Sequence, residues 1–92
     1  MNKSILVKNV SEKLNDLRKN DIEEAINLLI SMISKTLSEK NRIEIRGFGS
    51  FSCRHRIARL ARNPKTGTSI TVNSKFHPYF RSSKSLRQEV NN

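Results

Sequence analysis

The feature that most limits the possible folds is a helical segment whose apolar face is too wide for a surface helix. Its apolar residues recur with helical spacing and cover about 200° of arc, well beyond a single stripe. They are Ile22, Ala25, Ile26, Leu28, Leu29, Ile30, Met32, Ile33 and Leu37. One interpretation is a helix enclosed by its own domain. In a chain of 92 residues with 35% hydrophobic residues and no Trp, a second subunit against one side is favoured.

Local patterns predict where the helices begin and end. A weaker amphipathic helix is predicted over 3–16, with Asn15-Asp16 either ending it or beginning the turn. The wide apolar helix is predicted to begin at Asn20 as N-cap, because Glu23 follows at capping-box spacing. Helical periodicity stops near residue 40, which leaves residues 1–40 as a helical dimerisation part.

The pattern changes to strands after Asn41. Ile43 and Ile45 alternate with charged residues, and Phe51 and Cys53 alternate on the next strand. Gly47-Phe48-Gly49 between them predicts a hairpin turn whose Phe enters the core. Cys53 is expected to pack there as a small apolar residue.

A β-ribbon arm is predicted over about 54–72, because this stretch has basic residues and no core pattern. The turn cluster Asn63-Pro64-Lys65-Thr66-Gly67 marks its tip. Strand alternation continues to about residue 81, and Ser82 or Ser83 is predicted to cap a short helix over 82–92. The fold class is therefore α+β, a single domain with two N-terminal helices, a three-stranded antiparallel sheet carrying the long arm, and a C-terminal helix.

Charge is distributed very unevenly along the chain. The net charge is +10, and residues 41–92 hold eleven Lys or Arg against two acids. No acid occurs between Glu44 and Glu89. Such a segment repels itself unless it meets a polyanion, so nucleic acid is the first partner to consider.

Two motifs identify a family. The segment Arg42-Ile-Glu-Ile-Arg-Gly-Phe-Gly-Ser-Phe-Ser52, followed by the tip Arg62-Asn-Pro-Lys-Thr-Gly67, resembles the HU/IHF family of bacterial DNA-bending proteins over essentially the whole chain. Within the family, the first segment is more similar to the integration host factor branch than to HU chains, whose first strand is usually more apolar. The resemblance implies an obligate, intertwined dimer whose two arms enter the minor groove of double-stranded DNA. The second subunit is either an identical chain or an alpha-type chain.

The resemblance also implies roles for particular residues. Pro64 is expected to be the wedge that enters a base step and kinks the duplex. Arg42 and Arg46 are expected under the DNA, with Arg46 helping to read sequence. The remaining predicted DNA-binding residues line the arm or contact phosphates; they are Lys3, Arg54, Arg56, Arg59, Arg62, Asn63, Lys65, Lys75, Lys84 and Arg87.

Two places depart from the family pattern. Leu60-Ala61 stands where Thr-Gly or Pro-Gly is common before Arg62, so the arm loses a glycine and gains an exposed leucine. Ser82-Ser83 stands where Pro-Gly or Ala-Gly is common. The basic residues and the proline are unaffected by these changes.

Other functions have weak support in the sequence. His55 and His77 have no nearby acid to orient them, so neither a metal site, a cofactor nor general-base catalysis is predicted. A lone Cys, no signal-like N-terminus and no long apolar run favour the reducing cytoplasm, with no membrane contact. The family resemblance implies association with the nucleoid. Three alternatives remain: non-specific, HU-like compaction as a homodimer, an RNA-binding module, and a small nuclease. The RNA module lacks an aromatic stacking platform, since the aromatic residues, Tyr79 among them, are expected at core-like positions. The nuclease lacks clustered acids.

Overall fold

The computed structural model covers residues 1–92 and confirms the α+β fold. Its elements are, in order, α1 (Lys3–Lys13), α2 (Lys19–Ser38), β1 (Ile43–Ile45), β2 (Gly49–Arg56), β3 (Arg59–Arg62), β4 (Ser69–Val72), β5 (Lys75–Ser82) and α3 (Lys84–Val90). The chain divides into two compact units, residues 1–35 and residues 36–92.

Helix α1 is shorter than predicted. Asn2 caps it, because its Oδ1 accepts a hydrogen bond of 3.0 Å from the amide of Ile5. The helix ends at Lys13, and the Leu14 amide still donates to the carbonyl of Val10 at 2.9 Å. Leu14 then leaves helical geometry with ψ of 58°, so the helix is three residues shorter than the predicted 3–16, and Asn15-Asp16 lie in the turn that follows it, which was one of the two predictions for them.

The prediction that Asn20 caps α2 is also wrong. The helix begins at Lys19, and the carbonyl of Arg18 already accepts the amides of Asp21 at 3.1 Å and Ile22 at 3.2 Å. The Arg18 guanidinium also contacts the Asp21 carboxylate at 3.1 Å, across one helical turn. These contacts start the helix two residues before the predicted first helical residue and leave Asn20 inside the first turn.

Helix α2 ends in a Schellman motif closed by a lysine. The Asn41 amide donates to the carbonyl of Thr36, and the Lys40 amide donates to the carbonyl of Leu37, both at 3.0 Å. Lys40 has φ of 64°, the left-handed conformation that glycine usually supplies at this position. Its Nζ lies 4.6 Å from the centroid of the Phe76 ring, a cation–π contact that helps to hold this conformation.

Strands β1, β2 and β5 form an antiparallel sheet in the order β1-β2-β5. Strand alternation collects apolar side chains on one face, where Ile43 is opposite Phe51, and Phe51 is opposite Phe80. The rings of Phe51 and Phe80 lie 4.9 Å apart. Cys53 is half-buried on the same face and donates to the carbonyl of Leu37 at 3.0 Å, as expected of a small packed residue.

The turn between β1 and β2 uses its glycines in different ways. Gly47 has φ of 82°, and the Phe48 amide donates to the carbonyl of Ile45 at 3.0 Å to close the turn. Gly49 starts β2, and a Cβ there would lie 2.5 Å from the Arg81 carbonyl oxygen. The prediction that Phe48 enters the core is wrong for this chain alone, since Phe48 is 43% exposed and meets only the edge of the aromatic cluster.

The arm is not one continuous ribbon. Strand β2 pairs with β5 as far as Arg56, whereas β3 and β4 form a separate two-stranded sheet. Residues 57–58 and 73–74 lie between the two sheets and belong to no strand. The predicted arm is therefore divided into two sheets at this point. We call β3, β4 and the connecting residues 63–68 the ribbon.

Helix α3 begins where Ser83 was predicted to cap it. The Ser83 hydroxyl accepts the amide of Leu86 at 3.1 Å, and the Ser83 amide donates to the carbonyl of Phe48 at 2.8 Å. The hydroxyl thus fixes the start of α3, and the amide ties it to the β1–β2 turn.

The core of the single chain is very small. Only two hydrophobic residues are buried, Val7 and Ile22, and both belong to residues 1–35. On α2, Leu28 is 62% exposed and Met32 is 58% exposed, although both are apolar. An exposed apolar area of this kind marks an interaction surface.

Candidate nucleic-acid interface

The face of the three-stranded sheet opposite the aromatic cluster is basic. Side chains alternate between the faces, so the register pairs of this face are Ser50 with Arg81, Ser52 with Tyr79, Arg54 with His77, and Arg56 with Lys75. We call these residues the basic face. All four cations on it are exposed, and no acid occurs between Glu44 and Glu89 to neutralise them.

Two residues of the basic face were missed by sequence reasoning. Arg81 alternates with Tyr79 on β5, and period-two counting from Lys75 could have found both. Tyr79 was assigned to the core with the other aromatic residues, which is wrong. Its ring lies under the Arg54 guanidinium, with Cζ 3.6 Å from the ring centroid. This contact holds the Arg54 side chain flat against the sheet.

A basic cleft of about 300 Å³ lies beside the β1–β2 turn. The structure brings together there five cationic residues from two separate segments of the chain, 42–46 and 81–87: Arg42, Arg46, Arg81, Lys84 and Arg87. Arg42 Nη2 lies 3.5 Å from Glu44 Oε2, and both side chains are largely exposed. The cleft thus combines a concentration of positive charge with one exposed carboxylate.

The ribbon ends in a tip that is held together by its own hydrogen bonds. The Asn63 amide donates to the carbonyl of Thr68 at 2.9 Å, and the Gly67 amide donates to the carbonyl of Asn63 at 2.7 Å. Asn63 Oδ1 accepts the amide of Lys65 at 2.9 Å and so encloses Pro64. Gly67 has φ of 72°, which permits the reversal. Pro64 is exposed at the end of this closed turn.

The predicted arm arginines do not share one face. Arg59 is opposite Val72 and Arg62 is opposite Ser69, three residues apart on β3, so alternation places them on opposite faces of the ribbon. At the interruption between the sheets, a cleft of about 610 Å³ is lined by Arg56, Ile57, Arg59, Lys75 and others. The ribbon therefore presents positive charge on both of its faces.

Lys3 lies in the other unit, among residues 1–35. It is the first residue of α1, and its Nζ donates to Asn27 Oδ1 at 2.9 Å. The remaining predicted DNA-binding residues all lie in residues 36–92.

The histidines occupy different faces of the sheet. The His55 ring lies 4.9 Å from the Phe76 ring on the aromatic face, whereas His77 is opposite Arg54 on the basic face. No group of three or more His, Cys, Asp or Glu residues in the chain is arranged to hold a metal ion. None of the three helices is long and apolar enough to cross a bilayer.

A basic sheet face continued by a projecting, proline-tipped ribbon is the geometry of a DNA-bending protein. A family model described as "Bacterial DNA-binding protein" matches residues 1–91. The chain belongs to this family, which includes the HU and integration host factor proteins, as the motifs predicted.

Its relatives within the family include many integration host factor beta subunits. The subunit from Marinobacter nauticus is 47% identical over 91 residues, covering 99% of this chain and 93% of that protein. The subunit from Dichelobacter nodosus is 48% identical over 90 residues, covering 98% and 94%. Among solved structures, the Anabaena HU–DNA cocrystal structure has a TM-score of 0.88 and 33% identity, covering 98% of this chain and 97% of that one. The similarity to the beta subunit is thus confirmed.

Proposed function

We propose that the chain is an architectural protein that binds the minor groove of double-stranded DNA and bends the duplex sharply. The observation that carries this proposal is the combination of the basic face with an exposed proline at the tip of the ribbon. The bent DNA then serves the assembly of recombination, replication and transcription complexes and the organisation of the nucleoid in the cytoplasm. The chain has no catalytic role in this proposal.

Affinity comes from the unpaired positive charge. Arg54, Arg56, Lys75 and Arg81 on the basic face have no carboxylate partner within the chain, so phosphates are their natural ligands. Lys84 and Arg87 extend this charge along α3, and Lys3 supplies a further phosphate contact from α1. Such contacts position the DNA and carry little sequence information.

Bending comes from the ribbon. A ribbon that lies in the minor groove places Arg59, Arg62 and Lys65 near the phosphates on both sides of the groove. Pro64 then enters a base step, which costs a few kcal/mol of unstacking that is offset by new contacts along the bent duplex. Asn63 keeps the proline at the end of a rigid turn through its amide, carbonyl and side chain.

In this proposal, different parts of the chain are responsible for dimerisation and for DNA binding. Residues 1–92 act as one DNA-binding domain, in which 1–40 form the dimer, 41–81 carry the sheet and the arm of about 54–72, and 82–92 form the C-terminal helix. The exposed apolar residues of α2 support an obligate dimer, since a single chain buries only two hydrophobic residues. The partner subunit is a second copy or an alpha-type chain.

Sequence-independent compaction by a homodimer, as in HU, is the second candidate. The basic face favours it, because phosphate contacts alone give this activity. The cluster of Arg42, Glu44 and Arg46 beside the cleft favours sequence preference instead, because its polar groups lie close together at the edge of the basic face.

Energy transfer across an end-labelled duplex of about three helical turns tests the proposal. Saturation with the purified dimer should bring the labelled ends closer together. Affinity should fall by about 10³-fold or more between 50 and 200 mM salt if six or more phosphates are contacted. Lys75→Ala should reduce the slope of log K against log salt by about 0.9 for each phosphate that the variant no longer neutralises. No change in transfer at saturation, or a flat salt dependence, contradicts the proposal.

A further inference from the structure

We infer that Leu60 is a DNA-binding residue whose side chain packs against the sugars that line the minor groove, on the face of the ribbon that also carries Arg62. This inference rests on the proposed function. It adds an apolar contact to an interface that otherwise consists of cationic residues and the intercalating Pro64.

The register within the ribbon places Leu60 and Arg62 on one face, because they are two residues apart on β3. Arg56 is opposite Lys75 before the interruption, and Arg59 is opposite Val72 after it. Two residues of each segment lie between these pairs and belong to no strand, so the face of Leu60 is defined by the ribbon alone.

The surroundings of Leu60 leave its side chain uncovered by the chain itself. It is 75% exposed, and the residue opposite, Thr71, is exposed as well. Both strands of this two-stranded sheet are edges, and no third strand pairs with them. A leucine this exposed gains stability only when a partner removes it from water.

The charge around Leu60 determines which partner fits. Arg56, Arg59 and Arg62 flank it on the chain, and the nearest acids in sequence are Glu44 and Glu89. The partner must therefore offer apolar surface bordered by negative charge. The minor groove has this arrangement, since its sugars lie between two rows of phosphates. A neutral apolar surface on another protein leaves these arginines without counter-charges.

The distance from Leu60 to the tip separates its role from that of the wedge. Pro64 follows Leu60 by four residues, and β3 ends at Arg62, so the two are at most about 13 Å apart at 3.3 Å per residue. At a rise of 3.4 Å per base step, Leu60 lies at most about four base pairs from the step that Pro64 enters. Leu60 therefore contributes to affinity along the groove, whereas Pro64 produces the bend.

Two isosteric variants test the inference. Leu60→Val and Leu60→Thr have the same shape and suit a strand, but only valine keeps the apolar surface. We expect Leu60→Val to bind the duplex up to about fourfold more weakly than the unaltered chain for each arm that enters the groove, because it removes one buried methylene. Leu60→Thr should bind about fourfold more weakly than Leu60→Val for each arm that enters the groove, because one buried methyl group is replaced by a hydroxyl. Both should give the unaltered salt slope and the unaltered bend at saturation.

Three results decide the matter. Equal affinity of the two variants overturns the inference, because Leu60 then remains in water in the complex. A salt slope that differs between them also overturns it, since the weaker binding then comes from phosphate contacts. Failure of the unaltered chain to bind DNA contradicts the proposed function itself, and this is distinguishable because the unaltered chain is measured beside the variants.

Discussion

The two compact units of the chain leave opposite kinds of surface uncovered. Residues 1–35 hold six Lys or Arg and five acids, so their charges nearly balance, and they expose an apolar area that includes Leu28 at 62% and Leu29 at 57%. Residues 36–92 hold twelve Lys or Arg and three acids, and their exposed surface is cationic. The first unit requires an apolar partner and the second requires a polyanion. The uncovered surface of each unit therefore indicates its partner, which is an apolar protein surface for residues 1–35 and a polyanion for residues 36–92.

The largest effect is expected from placing a charge in the apolar unit. Leu29 lines an apolar groove with Val10, Leu14 and Ile26, and Leu29→Asp puts an unpaired carboxylate there. We expect a loss of at least about 3 kcal/mol, enough to abolish the folded dimer at micromolar concentration. Sedimentation and thermal unfolding at several protein concentrations measure this.

The matched control is Ser31→Asp, on the polar side of the same helix, which should leave the dimer intact. If Leu29→Asp gives a folded monomer of unchanged stability, the apolar surface of residues 1–35 is not an assembly surface. The claim that this unit requires an apolar partner is then wrong.

The next effect concerns sequence preference in the cationic unit. The affinity for a preferred site, selected from random duplexes, is compared with the affinity for random DNA. Arg46→Ala should reduce the ratio of these two affinities by about tenfold, because a base contact is worth about 1–3 kcal/mol. Lys75→Ala is the control and should weaken both affinities equally. If Arg46→Ala also weakens both equally, Arg46 contacts phosphate only, and HU-like compaction becomes the better description.

The smallest effect is expected at the end of α2. Lys40 has φ of 64°, which glycine adopts without steric strain. Lys40→Gly and Lys40→Ala both remove the cation that lies over Phe76, so their difference isolates the backbone strain. We expect the glycine variant to be about 1 kcal/mol more stable in denaturant titrations at fixed protein concentration. Equal stabilities would mean that Lys40 is not strained in the dimer.

Sequence patterns predicted the elements well where composition changes abruptly. The change from helical to two-residue periodicity after Asn41 located the start of the sheet, and Ser83 was predicted as a cap of α3 from its residue type. The missed features depend on contacts between residues. Arg is not a residue type that usually caps helices. Nevertheless α2 starts after Arg18, because the Arg18 carbonyl accepts the amides of Asp21 and Ile22 and its guanidinium pairs with Asp21.

The basic face was only partly predicted for a related reason. Residue type placed Tyr79 with the core aromatics, whereas strand register places it under Arg54. The interruption of the arm was not predicted, because residues 57–58 are Ile-Ala and carry no turn signal, although Asn73 and Ser74 on the other side are turn-forming residue types. In contrast, the tip was predictable, because Asn63, Pro64 and Gly67 act through local backbone chemistry.

The most direct test of the account is the bend angle with and without the wedge. Energy transfer between the ends of a duplex of about three helical turns is measured at saturation for the unaltered chain and for Pro64→Ala. The substitution leaves every positive charge in place, so affinity for straight duplex should change little, while energy transfer and the preference for nicked or flexible DNA should fall sharply. An unchanged bend angle would contradict the account, because Pro64 would then be only a turn residue and the arms would hold DNA by charge alone.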